Sequence, residues 1–129
     1  MRYLLDTHVL LWWRADDPRL PHRWDPVLGN TDNHDIVFSA ASLWEIAIKR
    51  ALGKLDLGID VSDFSRQLQE DHGFRLIGIE TAALDLLSTL PHHHGDPFDR
   101  LLIAQALESG AVAVTNDRNW KKYRCKVQW

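Results

Sequence analysis

The sequence contains a single cysteine, Cys125, among its 129 residues. One thiol can neither close an intrachain disulfide nor build a cysteine-ligated zinc cluster, so a reducing compartment is the simplest setting and a cytoplasmic protein is expected. Long apolar runs are missing as well. The richest stretch, Tyr3 to Trp13, is broken by Asp6, Thr7 and His8, well short of the roughly eighteen apolar residues of a membrane span, so neither a bilayer nor a signal peptide is expected. Glycine and proline are sparse, at 7 and 5, which gives no compositional case for a disordered or fibrous chain. The sequence also lacks GxGxxG, GxxxxGK[ST] and GxSxG, so dinucleotide, P-loop and serine-hydrolase chemistries lose their usual support.

What is present points to one ordinary core. Hydrophobic residues make up 45% of the chain and charged residues 26%, so residues 1–129 are expected to form a single domain and not a two-domain enzyme. Short apolar runs at Tyr3–Leu5, Asp35–Phe38, Arg75–Ile79, Ala111–Val114 and Cys125–Val127 read as strands buried on both faces. Helical patterns occupy Thr7–Arg14, Pro21–Gly29, Ala40–Leu52, Val61–His72, Thr81–Leu90 and Pro97–Ser109. Gly53, Gly73 and Gly110 each follow a helical stretch where a left-handed cap is wanted. This alternation predicts an α/β fold with a mostly parallel sheet and helices on both faces. Ligands of such sheets collect beyond the carboxyl ends of the strands, where strand order reverses, and two acids, Asp6 and Asp117, stand at predicted strand exits.

Charge is unevenly spread. Net charge is -3, yet residues 118–129 hold Arg118, Lys121, Lys122, Arg124 and Lys126 with no acid, leaving 10 basic and 18 acidic side chains in the other 117 residues. A basic patch beside an acidic body suits a metal-dependent enzyme acting on a polyanion, although a like-charge run is often no more than a solvated face.

Five acids carry the functional reading: Asp6, Glu45, Asp96, Asp99 and Asp117. Each has an ordinary structural explanation. Asp6 and Asp117 fit N-caps, worth about 1 kcal/mol each. Asp96-Pro97-Phe98-Asp99 reads as N-cap, N1, N2 and N3 of a helix. Glu45 sits one turn before Lys49, an i to i+4 pair worth about 0.3 kcal/mol, on a helix whose Trp44, Ala47, Ile48 and Ala51 form an apolar stripe. Geometry changes the weighting, because the cap readings put Asp6, Asp99 and Asp117 at helix N-termini on one side of one small sheet. Two bare carboxylates about 4 Å apart repel by roughly 4 kcal/mol at an effective dielectric near 20, more than either cap returns. Such a cluster needs a cation or a shared proton. Oxygen ligands suit Mg²⁺ or Mn²⁺, and ions of that kind activate water and neutralise charge developing on a phosphodiester.

His92-His93-His94 has no neighbouring Cys and no HExxH spacing to support a closed zinc site, and is expected to be a loop beside the cluster. His8 can reach the edge of the site or simply pack. Trp12, Trp13, Trp24 and Trp44 fit apolar helix faces better than a base-stacking platform, while Trp120 and Trp129 lie in and after the basic tail.

Four blocks, Leu4-Leu5-Asp6-Thr7-His8-Val9-Leu10-Leu11-Trp12, Ser39 to Lys49, Asp96 to Ala106 and Val114 to Trp120, resemble those of PIN-domain proteins, specifically VapC-type toxins of bacterial toxin–antitoxin pairs. The likeness runs in order along essentially the whole chain. It implies an α/β/α sandwich, a Mg²⁺- or Mn²⁺-dependent endoribonuclease acting on RNA, a homodimer, and inhibition by a cognate VapB-type antitoxin. By position it implies Asp6, Glu45, Asp99 and Asp117 as the catalytic, metal-holding acids, with Asp96 as a cap or supporting group and Thr7 and Thr115 as neighbours. Arg118, Lys121 and Lys122 are then expected to hold RNA backbone. Gly95 departs from the Arg or Lys frequent before the DPFDR block, and Thr81-Ala82-Ala83 from a common His-Ala pair; both bear on substrate choice and neither touches the four acids. Two rivals remain: a non-catalytic RNA- or antitoxin-binding module of the same fold, and a small-molecule phosphatase, which would want a second Asp where this chain has His8.

Overall fold

The computed structural model describes residues 1–129. Its strands are β1 (Arg2–Leu5), β2 (Asp35–Ser39), β3 (Arg75–Ile77), β4 (Val112–Val114) and β5 (Val127–Gln128). They form one sheet in the order β3-β2-β1-β4-β5, and every neighbouring pair is parallel. Around it lie α1 (Thr7–Ala15), α2 (Asp25–Leu28), α3 (Ala40–Ala51), α4 (Val61–Glu70), α5 (Thr81–Thr89) and α6 (Pro97–Ser109), with 3-10 turns at His22–Trp24 and Arg118–Tyr123.

The period-2 alternation of each strand splits the core in two. Tyr3 and Leu5, Ile36 and Phe38, and Val112 and Val114 face one side, where they meet Val9 and Leu10 of α1, Leu28, and Phe64 and Leu68 of α4. Leu4, Val37 and Ala113 face the other, against Leu101 to Ala104 of α6 and Trp120. Burial on both faces is why these strands read as continuous apolar runs. Each fully buried Leu or Phe contributes roughly 1.5–3 kcal/mol of transfer free energy. The result is the three-layer α/β/α arrangement expected from the sequence.

Several boundaries differ. The stretch predicted as one helix over Pro21–Gly29 is a 3-10 turn followed by the four-residue α2, since Pro26 supplies no N–H to extend a helix begun at His22. The last strand begins at Val127, two residues later than expected, and the basic segment 118–123 is a 3-10 helix that apolar periodicity does not signal. The largest difference lies in α3. Its buried residues are Ala41, Ser42, Glu45 and Ile46, whereas Trp44 and Ile48 of the predicted apolar stripe are exposed, Trp44 by 57%. Trp44 leans edge-on against Phe98 instead of entering the core. The polar inward face is held by the Thr7 hydroxyl donating to Ser42 Oγ at 2.9 Å, and just before the helix the Ser39 hydroxyl donates to Gln105 Oε1 of α6 at 2.6 Å. Gly53, Gly73 and Gly110 do adopt positive φ, at 71°, 71° and 67°.

At the opposite end of the sheet Asp35 is clamped between Arg2 and Arg75, binding β1, β2 and β3 together, and Arg75 beside it holds its carboxyl down to about 2. No helix is long and apolar enough to cross a membrane.

Candidate active site

Strand order reverses between β1 and β4, which are neighbours in space but far apart in sequence. A crevice is expected beyond their carboxyl ends. Asp6 leaves β1 there and is 4% exposed. It caps α1 through Oδ1, which accepts from the His8 N–H at 3.1 Å, while Oδ2 accepts the Thr115 hydroxyl at 2.6 Å. Thr115, at the exit of β4, is itself buried, and its hydroxyl also accepts the Asp117 N–H at 3.1 Å. One hydroxyl thus fixes the relative positions of two acids 111 positions apart in the numbering. Asp117 caps the following 3-10 turn by accepting from Asn119 N–H at 2.9 Å.

The third acid arrives from α6. Asp96 caps this helix, accepting from the N–H groups of Phe98 and Asp99 at 2.8 and 3.2 Å, with Pro97 at N1. Asp96 is therefore the cap foreseen from sequence, and Asp99 stands at N3, one turn in. Burial pushes the Asp99 carboxyl up to about 7, reinforced by the negative charges of Asp6, Asp96 and Glu45. Burial and neighbouring negative charge both disfavour the ionised form of a carboxyl.

Glu45, on α3, points inward and is 3% exposed. The Lys49 ammonium donates to its Oε2 at 2.6 Å, the helix pair anticipated as its ordinary explanation, and Glu45 in turn raises the Lys49 pKa. Its other oxygen, Oε1, is buried with no hydrogen-bond partner. A buried carboxylate with a free lone-pair face, close enough for its charge to act on Asp99, fits a hard divalent cation, whose ligands are oxygens; the tightest grouping of side chains, within 4.8 Å of one another, is His94, Asp99 and Asp117, with Asp6 and Glu45 outside it.

Sequence reading missed one participant. His94 was expected in a loop beside the cluster, and its ring instead lies within it. Nε2 stands 2.8 Å from Asp117 Oδ2 and 3.0 Å from Asp99 Oδ2, so the ring bridges these two acids. The cause is local: the N–H of cap residue Asp96 donates to His94 Nδ1 at 3.0 Å, folding the ring back over the first turn of α6. The spacing His-x-Asp-x-x-Asp carries part of that signal, because a side chain can pair with a backbone group two residues on, here the N–H of the cap residue. His92 and His93 do not enter the cluster, and the His93 ring packs on Tyr123. His8 borders the site, its exposed ring 3.8 Å from Asp6, whose carboxylate raises the imidazole pKa.

The basic residues divide. Arg118 and Lys121 line a cleft of about 210 Å³ that begins at Thr115 and Asp117, whereas Lys122 faces a separate recess beside Pro91 and His93. A larger cleft of about 430 Å³, lined partly by Leu11, Trp12, Ile46 and Phe64, opens beside Thr7, His8 and Lys49.

A parallel α/β/α sheet with acids gathered at its switch point defines a class, and the comparisons agree on which. The PIN domain family model matches residues 3–125, and the chain belongs to that family. It is 34% identical over 122 residues to Ribonuclease VapC22 of Mycobacterium tuberculosis, covering 94% of this chain and 91% of that one. Among solved structures, VapBC2 from Rickettsia felis bound to a DNA fragment from its promoter superposes with a TM-score of 0.74 at 16% identity, covering 99% and 98% of the two chains. DNA-bound VapBC from Salmonella typhimurium gives 0.70 at 15% identity over 99% and 97%. At those identities the two structures attest the fold.

Proposed function

We propose that this protein is a divalent-cation-dependent endoribonuclease, the toxin of a toxin–antitoxin pair, working in the cytoplasm. The observation that carries the reading is the convergence of Asp6, Asp99, Asp117 and the half-unsatisfied Glu45 at the strand-order switch of a PIN fold. Likeness along nearly the whole chain to a protein named as a ribonuclease supports RNA as the substrate.

In this reading the four carboxylates hold Mg²⁺ or Mn²⁺, which when bound activates the attacking water and offsets charge building on the scissile phosphate. The remaining work belongs to the chain. Thr115 keeps Asp6 and Asp117 in register through its one hydroxyl. Lys49 offsets part of the excess negative charge without occupying the face of Glu45 that is free. Arg118 and Lys121 line the cleft that leaves the site at Asp117 and can grip RNA phosphates there, whereas Lys122 faces the separate recess beside Pro91 and His93.

The solved relatives are toxin–antitoxin complexes, and a VapB-type antitoxin is the inhibitor we assign to this chain. An arginine from that partner would find four acids to pair with, and the cleft lined by Leu11, Trp12, Ile46 and Phe64 gives its flanking segment an apolar seat. A homodimer is part of the same proposal; Trp44 and Ile48 on α3 and Leu52 just beyond it leave exposed apolar surface that such an assembly would cover.

The test is cleavage of structured RNAs by the purified protein with Mg²⁺ or Mn²⁺, with EDTA, and with Asp6→Asn and Asp99→Asn. Cation-dependent cutting lost in both variants is the expected result. RNA binding without cutting under every cation would instead favour a non-catalytic module.

A further inference from the structure

The histidine inside the acid cluster is held in a form that cannot ligate a metal where it stands. A backbone N–H only donates, so the Asp96 N–H at 3.0 Å from His94 Nδ1 requires a lone pair on that nitrogen. The ring proton therefore sits on Nε2, which donates to Asp117 Oδ2 at 2.8 Å with Asp99 Oδ2 3.0 Å from the same nitrogen. Metal-bound imidazoles are arranged the other way, with the free nitrogen donating its proton to an acceptor and the ligating nitrogen bare. Here both nitrogens are already committed, one as acceptor and one as donor.

The loop that carries the ring is pinned from behind. The Tyr123 hydroxyl accepts the N–H groups of His93 and His94 at 2.9 and 2.7 Å, and Arg100 donates to the Pro91 carbonyl at 2.7 Å and the Leu90 carbonyl at 3.3 Å. Tyr123 itself is buried, and the His94 side chain is only 13% exposed. The backbone is thus anchored while the ring hangs by three polar contacts, all of them at the site. Rotation of the side chain alone would release Asp99 and Asp117 without moving the loop.

We propose that His94 is an internal plug of the cation site: its Nε2–H occupies the space between Asp99 and Asp117, and the ring must swing out before a divalent ion can bind both acids. This rests on the proposed role of those acids as cation ligands. It makes cation binding a competition within the chain. The ring satisfies the two acids in the free protein, and the affinity for a cation is reduced by the fraction of time the plug is in.

The discriminating experiment measures cation binding and not cleavage. Mn²⁺ is titrated into the full-length wild-type protein, His94→Ala and His94→Asn, and free Mn²⁺ is followed by its electron paramagnetic resonance signal, with circular dichroism confirming the fold of each variant. A plug predicts that both variants bind Mn²⁺ more tightly, by about tenfold for the loss of hydrogen bonds to charged groups. Equal affinity in all three proteins overturns the plug, and weaker binding in the variants overturns it by making His94 a ligand; in both cases the acids remain the cation site. No Mn²⁺ binding by any of the three overturns the plug together with the proposed function. A second readout is the imidazole ¹⁵N spectrum of the wild type: the Nε2–H form in EDTA should give way to averaged tautomers on adding Mg²⁺. A fixed Nδ1–H form in Mg²⁺ contradicts the plug, since it reports a ring bound through Nε2.

Discussion

Replacing Asp99 by Asn should make the metal-free protein more stable at pH 8 while removing its activity. The folded-state pKa of Asp99 is raised to about 7 from an ordinary 3.8, with burial as the largest cause and the charges of Asp6, Asp96 and Glu45 adding to it. At 1.36 kcal/mol per pH unit the penalty for ionising it in the fold has a ceiling of about 4 kcal/mol. Its side chain is 20% exposed, and solvent screening plus loss of the favourable N3 carboxylate at the α6 dipole leave a net gain of about 1–3 kcal/mol for Asn. The sign with pH is opposite to that of a salt-bridged acid. Above pH 7 the carboxyl is ionised in both states and the fold carries the whole penalty. As pH falls through 7 the folded form takes up a proton that the unfolded form does not, so stability rises and the penalty is gone below about 4. Urea unfolding in EDTA at pH 8 and pH 5 measures this directly. Wild type should gain on acidification from this group, Asp99→Asn should gain less, and the two should converge toward pH 5. An Asn variant that is less stable than wild type at pH 8 would refute the crowding argument.

Other expectations follow from the same contacts. Thr115→Val removes the hydroxyl that joins Asp6 to Asp117, so Mn²⁺ affinity measured by titration should fall about 10–100-fold, the range typical of groups that orient metal ligands, with the thermal midpoint shifted little. Lys49→Met leaves Glu45 buried with neither oxygen paired; chemical denaturation in EDTA should show a loss of about 1–3 kcal/mol, recovered when Mg²⁺ is added. Asp35→Asn breaks the Arg2–Asp35–Arg75 clamp, whose members are 38–50% exposed on their side chains, so screening limits the cost to about 1 kcal/mol. Because the Asp35 pKa is lowered to about 2, that contribution is present above its unfolded value near 4 and is lost as pH falls toward 2, which acid titration of the two proteins should reveal. Cys125, with its thiol pushed up to about 11 by burial, should react with a thiol reagent at pH 8 only after unfolding.

Much of this architecture was legible in the sequence because strands buried on both faces leave unmistakable apolar runs. Leu4, Val37 and Ala113 had to face one layer and their neighbours the other, and the alternation with helices admitted few topologies. Asp6, Asp99 and Asp117 were legible for a related reason: caps follow strands and precede helices, so the rules that place helix starts also place acids at one end of a parallel sheet. The orientation of α3 was not. Counting apolar residues favours Trp44, Ala47 and Ile48 as its inner face, but Thr7 offers Ser42 a hydrogen bond that rewards the polar side, and that partner lies far away in sequence. The same inversion brings Glu45 inside. His94 escaped because adjacent histidines seem equivalent until the Asp96 N–H selects one of them, and the basic tail was read as one patch although its 3-10 turn sends Lys121 and Lys122 to different recesses.

The most direct measurement is a crystal structure of the protein grown with Mn²⁺ and recorded at a wavelength that reveals manganese by its anomalous scattering. The account predicts a peak among the carboxylates of Asp6, Asp99 and Asp117, with the His94 ring turned away from it. Manganese absent from that crevice at concentrations that support RNA cleavage, or bound only at some other surface, would contradict it.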